Sequence, residues 1–462
     1  MEVKAAMTER SFNLVVPLPH KGTAMRNEDT RRQCAVRSSA VSPLIGEGLR
    51  QSDVDSTISP AGLGIRTSTT ATRTTTTSTA GSAPAPSADW SNGFTFAALV
   101  EAYFDCRRTK RNSASALAFE VDLECNLRTL YDELVDGSYA PGRSICFVIT
   151  RPKPREVWAA DFRDRVVHRL LYNRIGPQFE NAFIADSCAC IRERGTLYAA
   201  RRLESKVRSI TQNWVHPAYY LKLDLANFFV SIDKHVLLEL LTEKIPEPFW
   251  LWLTEIVLMH DPRQQFELRG DPAFLARVPR HKRLMEKPGH LGLPIGNLSS
   301  QFFANVYLNV LDQHAKHQLG ARHYIRYVDD FLFLHESTDW LNAVLDDVTE
   351  FLPSRLGVRL NPRKTILQPI DRGVDFVGHV IKPWCWSTRR RTVNEALRRV
   401  VAAPTADVHV IANSYFGLLR QAPASHHDRA RLANVARDRR HVVDQAFTKT
   451  YRRSAYSLTK GV

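Results

Sequence analysis

Long hydrophobic runs are missing from this chain of 462 residues. No uninterrupted apolar stretch approaches the roughly 18–20 residues a helix needs to cross a bilayer, and the first twenty residues carry no cleavable signal pattern. The expectation is therefore a cytoplasmic protein. Cysteine is scarce, and the odd count of seven, scattered along the chain, excludes a disulfide framework and agrees with a reducing compartment. Cys188 and Cys190 form the one close pair; with no second pair or histidines at zinc spacing, packed thiols are the simpler reading than a metal site. Acidic charge is in deficit. Against 63 Lys and Arg stand 48 Asp and Glu, a formal net charge of +15. That excess favours a polyanionic partner, nucleic acid first and an anionic membrane surface second, because cations that neutralise phosphates release counterions.

Apolar residues make up 44% of the chain, enough for a sizeable core and for two or three domains. They are unevenly spread. Residues 1–88 have almost no hydrophobic periodicity and end in a Thr-, Ser- and Ala-rich tract from Arg66 to Pro86, so a disordered leader is expected there. From Trp90 the character changes. Phe94 to Phe104 has helical spacing and runs into the basic cluster 107–111, either a solvated helix end or a grip on phosphates. A second helical pattern spans about Ala114 to Val135.

The chemistry concentrates at Tyr324-Ile-Arg-Tyr-Val-Asp-Asp-Phe-Leu-Phe-Leu334. Two apolar, aromatic-rich runs of strand length flank Asp329 and Asp330, which reads as a β-hairpin with both acids at its tip. Asp-Gly or Asn-Gly would relax such a turn, whereas adjacent anions repel by roughly 1 kcal/mol in water at about 4 Å. A divalent cation removes that cost. A hard cation takes few carboxylates and completes its shell with water and phosphate, and a third acid stands upstream: Asp224 interrupts the β-prone run Tyr220–Ile232. Three such acids suit a two-metal site for in-line phosphoryl transfer.

Tyr327-Val-Asp-Asp330 between apolar strands, preceded by the Asp224 segment, resembles the catalytic palm of reverse transcriptases, and further blocks follow in that family's order. From roughly Trp90 to Arg453 the chain is similar to bacterial reverse transcriptases, those of diversity-generating retroelements and related orphan or phage-defence groups above all. The resemblance implies an α+β right-hand polymerase of fingers, palm with antiparallel sheet and short helical thumb, behind the disordered leader. It implies domains at 1–88 (leader), 89–381 (fingers and palm) and 382–462 (basic helical thumb and tail).

It also implies roles. Asp224, Asp329 and Asp330 are the catalytic acids, and with Leu225 they are the positions that hold two Mg²⁺ ions, Mn²⁺ being the substitute. The proline-stiffened loop of Ile145–Trp158 presents Arg151, Lys153 and Arg155 to the incoming triphosphate, Arg155 foremost. Arg163 and Arg165 face nucleotide or template phosphates, with ion pairs to Asp161 and Asp164 as the competing reading. Phe229 is the steric gate against the ribose 2′-hydroxyl, with Phe228 on the opposite face of the strand, and the amides from Leu225 to Phe228 touch triphosphate oxygens. In Gly292-Leu-Pro-Ile-Gly-Asn-Leu-Ser-Ser-Gln301 most of the family has Gln-Gly where this chain has Ile295-Gly296, and Ser-Pro where it has Ser300-Gln301. Gly296 allows close approach to the nucleotide. Ile295 removes a polar group, which puts high fidelity in doubt. Lys364 approaches the leaving pyrophosphate or is a surface lysine. Val374–Ile381 resembles the primer-grip strand pair, with His379 a packed strand residue. Arg429, Arg431, Arg437, Arg439 and Arg440 make a basic thumb face for a template–primer duplex.

The expected partners are an RNA template, a DNA or RNA primer and dNTPs, with a structured noncoding RNA or a small accessory protein beside them and no membrane. No zinc-bearing endonuclease pattern or RNase H segment is seen, which argues against a full mobile-intron or retroviral enzyme. Two other classes compete with RNA-templated DNA synthesis: a non-catalytic RNA-binding or assembly protein that keeps the palm, and a template-independent nucleotidyltransferase.

Overall fold

A computed structural model describes residues 90–451, apart from 91–92, 111–112 and 151–152. The expected leader, Arg151 and the C-terminal tail lie outside the described residues.

The chain enters through α1 (Phe96–Lys110), α2 (Ala114–Glu120) and α3 (Leu123–Val135). The single helical pattern expected over 114–135 is two helices, since Val121 and Asp122 fall between them and Asp122 leaves the helical region. On α3, Leu127, Leu130 and Leu134 recur at helical spacing and are buried. Next come β1 (Ser144–Ile149), β2 (Arg155–Ala159) and α4 (Phe162–Glu180), which starts on the side-chain cap of Asp161. α5 (Thr196–Ile210) leads to β3 (Tyr219–Asp224). After α6 (Lys234–Thr242) and α7 (Pro248–Met259) the chain forms β4 (Phe266–Arg269) and the one-turn helix α8 (Ala273–Arg277). α9 (Leu298–Gln313), continued by a π turn, supports β5 (Tyr324–Tyr327) and β6 (Asp330–His335). α10 (Thr338–Leu356) ends on Gly357 in the left-handed region and is followed by β7 (Ile366–Pro369).

Two sheets position the site. The first has the order β5-β6-β3-β7 and is antiparallel throughout. Its inner strands are buried on both faces, which is why β6 reads as the continuous run Phe331-Leu-Phe-Leu334. One face packs on the large core with α9 and α10, and the other on a second cluster with α5. The smaller sheet, β2-β1-β4, joins the two strands that flank the proline-stiffened turn of 145–158 to β4, which pairs parallel to β1. Nothing in the alternation of that short segment marks it as a strand.

β8 (Val374–Phe376), β9 (His379–Lys382) and β10 (Cys385–Thr388) form a separate antiparallel sheet, so the expected strand pair gains a third strand. The expected boundary at 381/382 therefore cuts a β-hairpin, and the helical unit begins at Arg390. It comprises α11 (Arg390–Ala402), α12 (Thr405–Leu419) and α13 (His426–Asp438) around their own core. On α11, Val393, Ala396 and Val400 face inward, leaving arginines on the remaining faces.

Candidate active site

Strand pairing brings the three acids together. In the antiparallel register of β3 and β6, Asp224 is directly opposite Asp330, and the Leu225 amide donates to the Asp329 carbonyl at 3.2 Å. The hairpin loop is two residues, Val328 and Asp329, with Tyr327 paired to Asp330. Asp329 thus occupies the turn, whereas Asp330 is the first residue of β6, a refinement of the expected tip. Burial first, and then the carboxylates of Asp224 and Asp330, push the Asp329 carboxyl up to about 6. Asp330 is raised too, chiefly by burial, against the pull of Lys222.

Cations answer part of this charge. Lys364, on the one-turn 3₁₀ segment Pro362–Lys364, meets Asp224 at 2.5 Å, and Lys222 meets Asp330 at 3.1 Å. Lys222 also donates to the Asp375 carbonyl at 2.8 Å, tying the acids to β8. Sequence reasoning missed Lys222; its signal was the spacing of two from Asp224 on one strand, which puts both side chains on one face.

The donors fit a hard divalent cation. Asp330 Oδ1 is buried with no hydrogen-bond partner, and among the described residues the Leu225 carbonyl accepts no hydrogen bond. Oxygen donors with excess negative charge are what Mg²⁺ takes. Among the described residues no three acidic, histidine or cysteine side chains are drawn into a closed cage. Two of the carboxylates face lysines, and a shared cation has to displace those ion pairs.

The turn itself is strained. Val328 sits at φ +55°, where a β-branched side chain is rarely found and where a two-residue hairpin loop ordinarily has glycine. A cost of about 1–3 kcal/mol is expected for such a residue. What holds it lies beneath. Arg326 on β5 is fully buried and donates to the Val328 carbonyl at 3.2 Å, to Asn305 at 3.2 Å and to Ser187 at 2.9 Å, while gripping Asp312 of α9 through two nitrogens at 2.7 and 2.6 Å. Tyr324 donates to the same Asp312 carboxylate at 2.8 Å. A second buried acid, Asp186, holds Arg202, Lys206 and Lys316 alongside. Neither network was legible in the chain order, because the partners come from α9 and its π turn, β5, α5 and the loop before it.

Around the acids the expected nucleotide contacts divide. Lys153 and Arg155 are exposed at the fingers loop. Burial, and then Lys364, Lys282, Arg391 and Arg155, pull the Lys153 ammonium below its ordinary value, so cations from four segments converge with no acid among the causes. Phe228 is buried in the large core and Phe229 is half-buried, as expected, but not through strand alternation. β3 stops at Asp224, Asn227 turns the chain at φ +52°, and Phe228–Val230 is a 3₁₀ turn. Of the amides expected at the triphosphate, that of Leu225 is bonded to Asp329 and that of Ala226 to Arg359; those of Asn227 and Phe228 remain.

Gly296 makes a different close approach from the one expected. Its φ is +130°, and a Cβ there would lie 2.9 Å from the Trp158 carbonyl oxygen, while the Trp158 amide donates to Ile295 at 2.8 Å. The glycine seats this loop against β2, and Ile295 is left half-exposed beside it. Replacement Gly296→Ala is expected to cost about 1–3 kcal/mol in a urea melt, because both the positive φ and the contact oppose a side chain.

Arg163 is held in structure by Glu133, Asp164 at 3.4 Å and the Ala140 carbonyl at 3.3 Å, the competing ion-pair reading. Arg165 is half-buried with its Nε on the Ala160 carbonyl. His379 is fully buried edge-on to Trp386, a packed strand residue as expected. On α13, Arg431 and Arg437 are exposed, and Arg440 beyond it is exposed too. Arg429 reaches the Ala446 carbonyl, and Arg439 caps α11 through the carbonyls of Val401 and Ala403. These two are structural: Arg439 supplies donors that the carbonyls of a helix end need, and Arg429 ties a turn to α13.

Comparison with known proteins bears on this arrangement. The family described as reverse transcriptase (RNA-dependent DNA polymerase) matches residues 151–381, half of the chain. Over 337 residues the chain is 23% identical to Protein YkfC of Escherichia coli (strain K12), covering 64% of this chain and 80% of that one. Among solved structures it is similar to apo telomerase from Candida tropicalis truncated from its C-terminal domain, with TM-score 0.38, 12% identity and 54% of this chain covered. It is likewise similar to telomerase from Candida albicans in complex with a fragment of telomeric RNA, with TM-score 0.37, 10% identity and 64% of this chain covered. The chain spans 55% and 54% of those two telomerase chains, about half of their length.

Proposed function

From a chain that belongs to the reverse transcriptase (RNA-dependent DNA polymerase) family, we propose RNA-templated DNA synthesis in which Asp224, Asp329 and Asp330 form the catalytic centre, with Mg²⁺ as the divalent ion. The observation that carries this reading is the register that sets Asp224 opposite Asp330, beside a turn that holds Asp329 in a conformation its residues disfavour. Binding RNA needs no cluster of half-neutralised anions, which speaks against a purely architectural role.

The side chains Asp224, Asp329 and Asp330, with the Leu225 carbonyl, hold the ions. When bound, divalent cations supply charge neutralisation at the attacking hydroxyl, the α-phosphate and the leaving oxygen. The primer hydroxyl oxygen bonds to the α-phosphorus as the bond to the β-phosphate oxygen breaks; the hydroxyl loses its proton and pyrophosphate departs. Lys364, 48% exposed in its ion pair, is long and free enough to turn from Asp224 to the departing pyrophosphate and donate a proton from Nζ. Lys153 and Arg155 orient the triphosphate from the fingers side.

Phe229 crowds the sugar. With Phe228 committed to the core, the half-buried ring beside it is the one available to meet a 2′-hydroxyl. An apolar Ile295 leaves selection near the nascent pair to shape, which supports copying of low fidelity and suits a bacterial retroelement or an antiphage system. The test is primer extension on an RNA template with Mg²⁺. The natural chain is expected to extend with dNTPs, and Phe229→Ala to accept ribonucleotides at least about tenfold better relative to dNTPs. Extension that persists after the template is digested would replace this reading with template-independent addition.

A further inference from the structure

Between β4 and α9 the chain makes an excursion that the polymerase reading above leaves without a task. It is strongly basic. Over residues 277–290 it contains Arg277, Arg280, Lys282, Arg283 and Lys287, with Glu286 as the only acid. Arg277, Arg280 and Lys282 are exposed, and Glu286 lies 3.8 Å from Arg280 and 3.6 Å from Arg283, so one carboxylate is shared between two of the five cations.

This arch is not a loose loop. Its root, Leu284, is buried in a small core with Cys146, Trp158 and Val230. The Leu284 amide donates to the buried Glu156 carboxylate at 2.6 Å, and its carbonyl accepts from Arg263 at 3.2 Å. Arg263 is in turn clamped by Asp261, with nitrogens 2.7 and 2.6 Å from the two carboxylate oxygens. The anchor points matter. Glu156 adjoins Arg155 of the fingers loop and Val230 adjoins Phe229, so the arch, with Lys282 two residues from Leu284, is rooted on the segments that carry those residues. The electrostatic influence of Lys282 on Lys153 agrees with that placement.

Arg277, Arg280 and Lys282 place three exposed cations within six residues of chain, a density of charge that suits a polyphosphate backbone. Resting on the polymerase reading of the adjoining site, we propose that the arch 277–290 is a nucleic-acid-binding element, and that Arg277, Arg280 and Lys282 track the backbone of the single-stranded RNA template as it enters. It reads no sequence, since phosphate contacts position a strand without specifying bases.

The experiment compares the full chain, an Arg277→Ala/Arg280→Ala/Lys282→Ala variant, and a control with the same charge change at exposed Arg128, Arg322 and Arg355. Binding of a labelled single-stranded RNA of mixed sequence is measured across a salt series, followed by primer extension. With three phosphate contacts removed, the slope of log affinity against log salt is expected to fall by about two, and affinity at 0.1 M salt by roughly 10- to 100-fold. The Michaelis constant for template–primer rises and that for dNTP stays put, with the control unchanged. An unaltered slope, or an equal change in the control, overturns the proposal. So does a rise confined to the dNTP constant, which would assign these cations to the triphosphate. Because RNA binding is read without catalysis, failure of the natural chain to extend primers would count against the polymerase reading and leave the arch decided by its own result.

Discussion

An Asp329→Asn chain will resist heat better than the natural sequence in EDTA, and will extend primers at least about a thousandfold more slowly, the several kcal/mol that charge stabilisation at a metal site supplies. Both effects have one cause. Asp329 is the acid of the three with no ion pair at contact distance among the described residues; burial and two neighbouring carboxylates disfavour its charge, and its carboxyl is pushed up to about 6. In the unfolded chain it ionises near pH 4. Below that pH it is protonated in both states and costs nothing. As pH rises from about 4 to about 6 the unfolded chain releases a proton that the folded chain retains, so stability falls, and above about 6 the loss is complete. The advantage of the Asp329→Asn chain should therefore be absent near pH 4 and reach about 1–3 kcal/mol above pH 6, read as the difference between urea midpoints. With Mg²⁺ bound as proposed, the order is expected to reverse. An ion bound by the native chain stabilises it in proportion to the logarithm of ligand over dissociation constant, and the variant loses most of that gain. A variant less stable than the natural chain at pH 7 in EDTA would show that Asp329 has a compensating partner, and the electrostatic account of the site would fall.

Arg326→Met will destabilise the fold by about 3–5 kcal/mol, the cost of leaving a buried charge without its partner. Asp312 is fully buried and accepts from Arg326 through both oxygens, so methionine fills the volume and leaves the carboxylate without a counter-charge, with the Tyr324 hydroxyl still donating to it. The paired change Arg326→Met/Asp312→Leu is expected to recover a large part of that loss, since apolar residues of similar size often replace a buried ion pair without net cost. Activity separates the two roles. Arg326 also holds the carbonyl of Val328, the residue at positive φ that turns the chain into Asp329. The double variant should therefore fold and yet extend primers slowly at saturating template and dNTP. Full activity in it would mean that the turn keeps its shape unaided. A single-variant loss below about 1 kcal/mol would mean that water reaches Asp312.

Local chemistry along the chain was sufficient for the three acids, the hairpin that carries two of them, the strand–turn–strand that carries Lys153 and Arg155, and a basic helical unit at the C-terminal end. These rest on periodicity, turn residues and composition, all of which act between near neighbours in the sequence. Partnerships across the fold were a different matter. That Lys222 would face Asp330, that Gly296 would press on Trp158, that Arg163, Arg429 and Arg439 would be used up in structure, and that β4 would add to the fingers sheet in parallel all depend on pairs of residues tens to hundreds of positions apart. Charge and burial in those pairs are settled only when the elements pack, since a cation's free energy depends on which acid or carbonyl lies beside it and on how much water remains. The amino-acid order by itself named the candidate acids; packing alone decided which cations stay exposed and which are spent holding the molecule together.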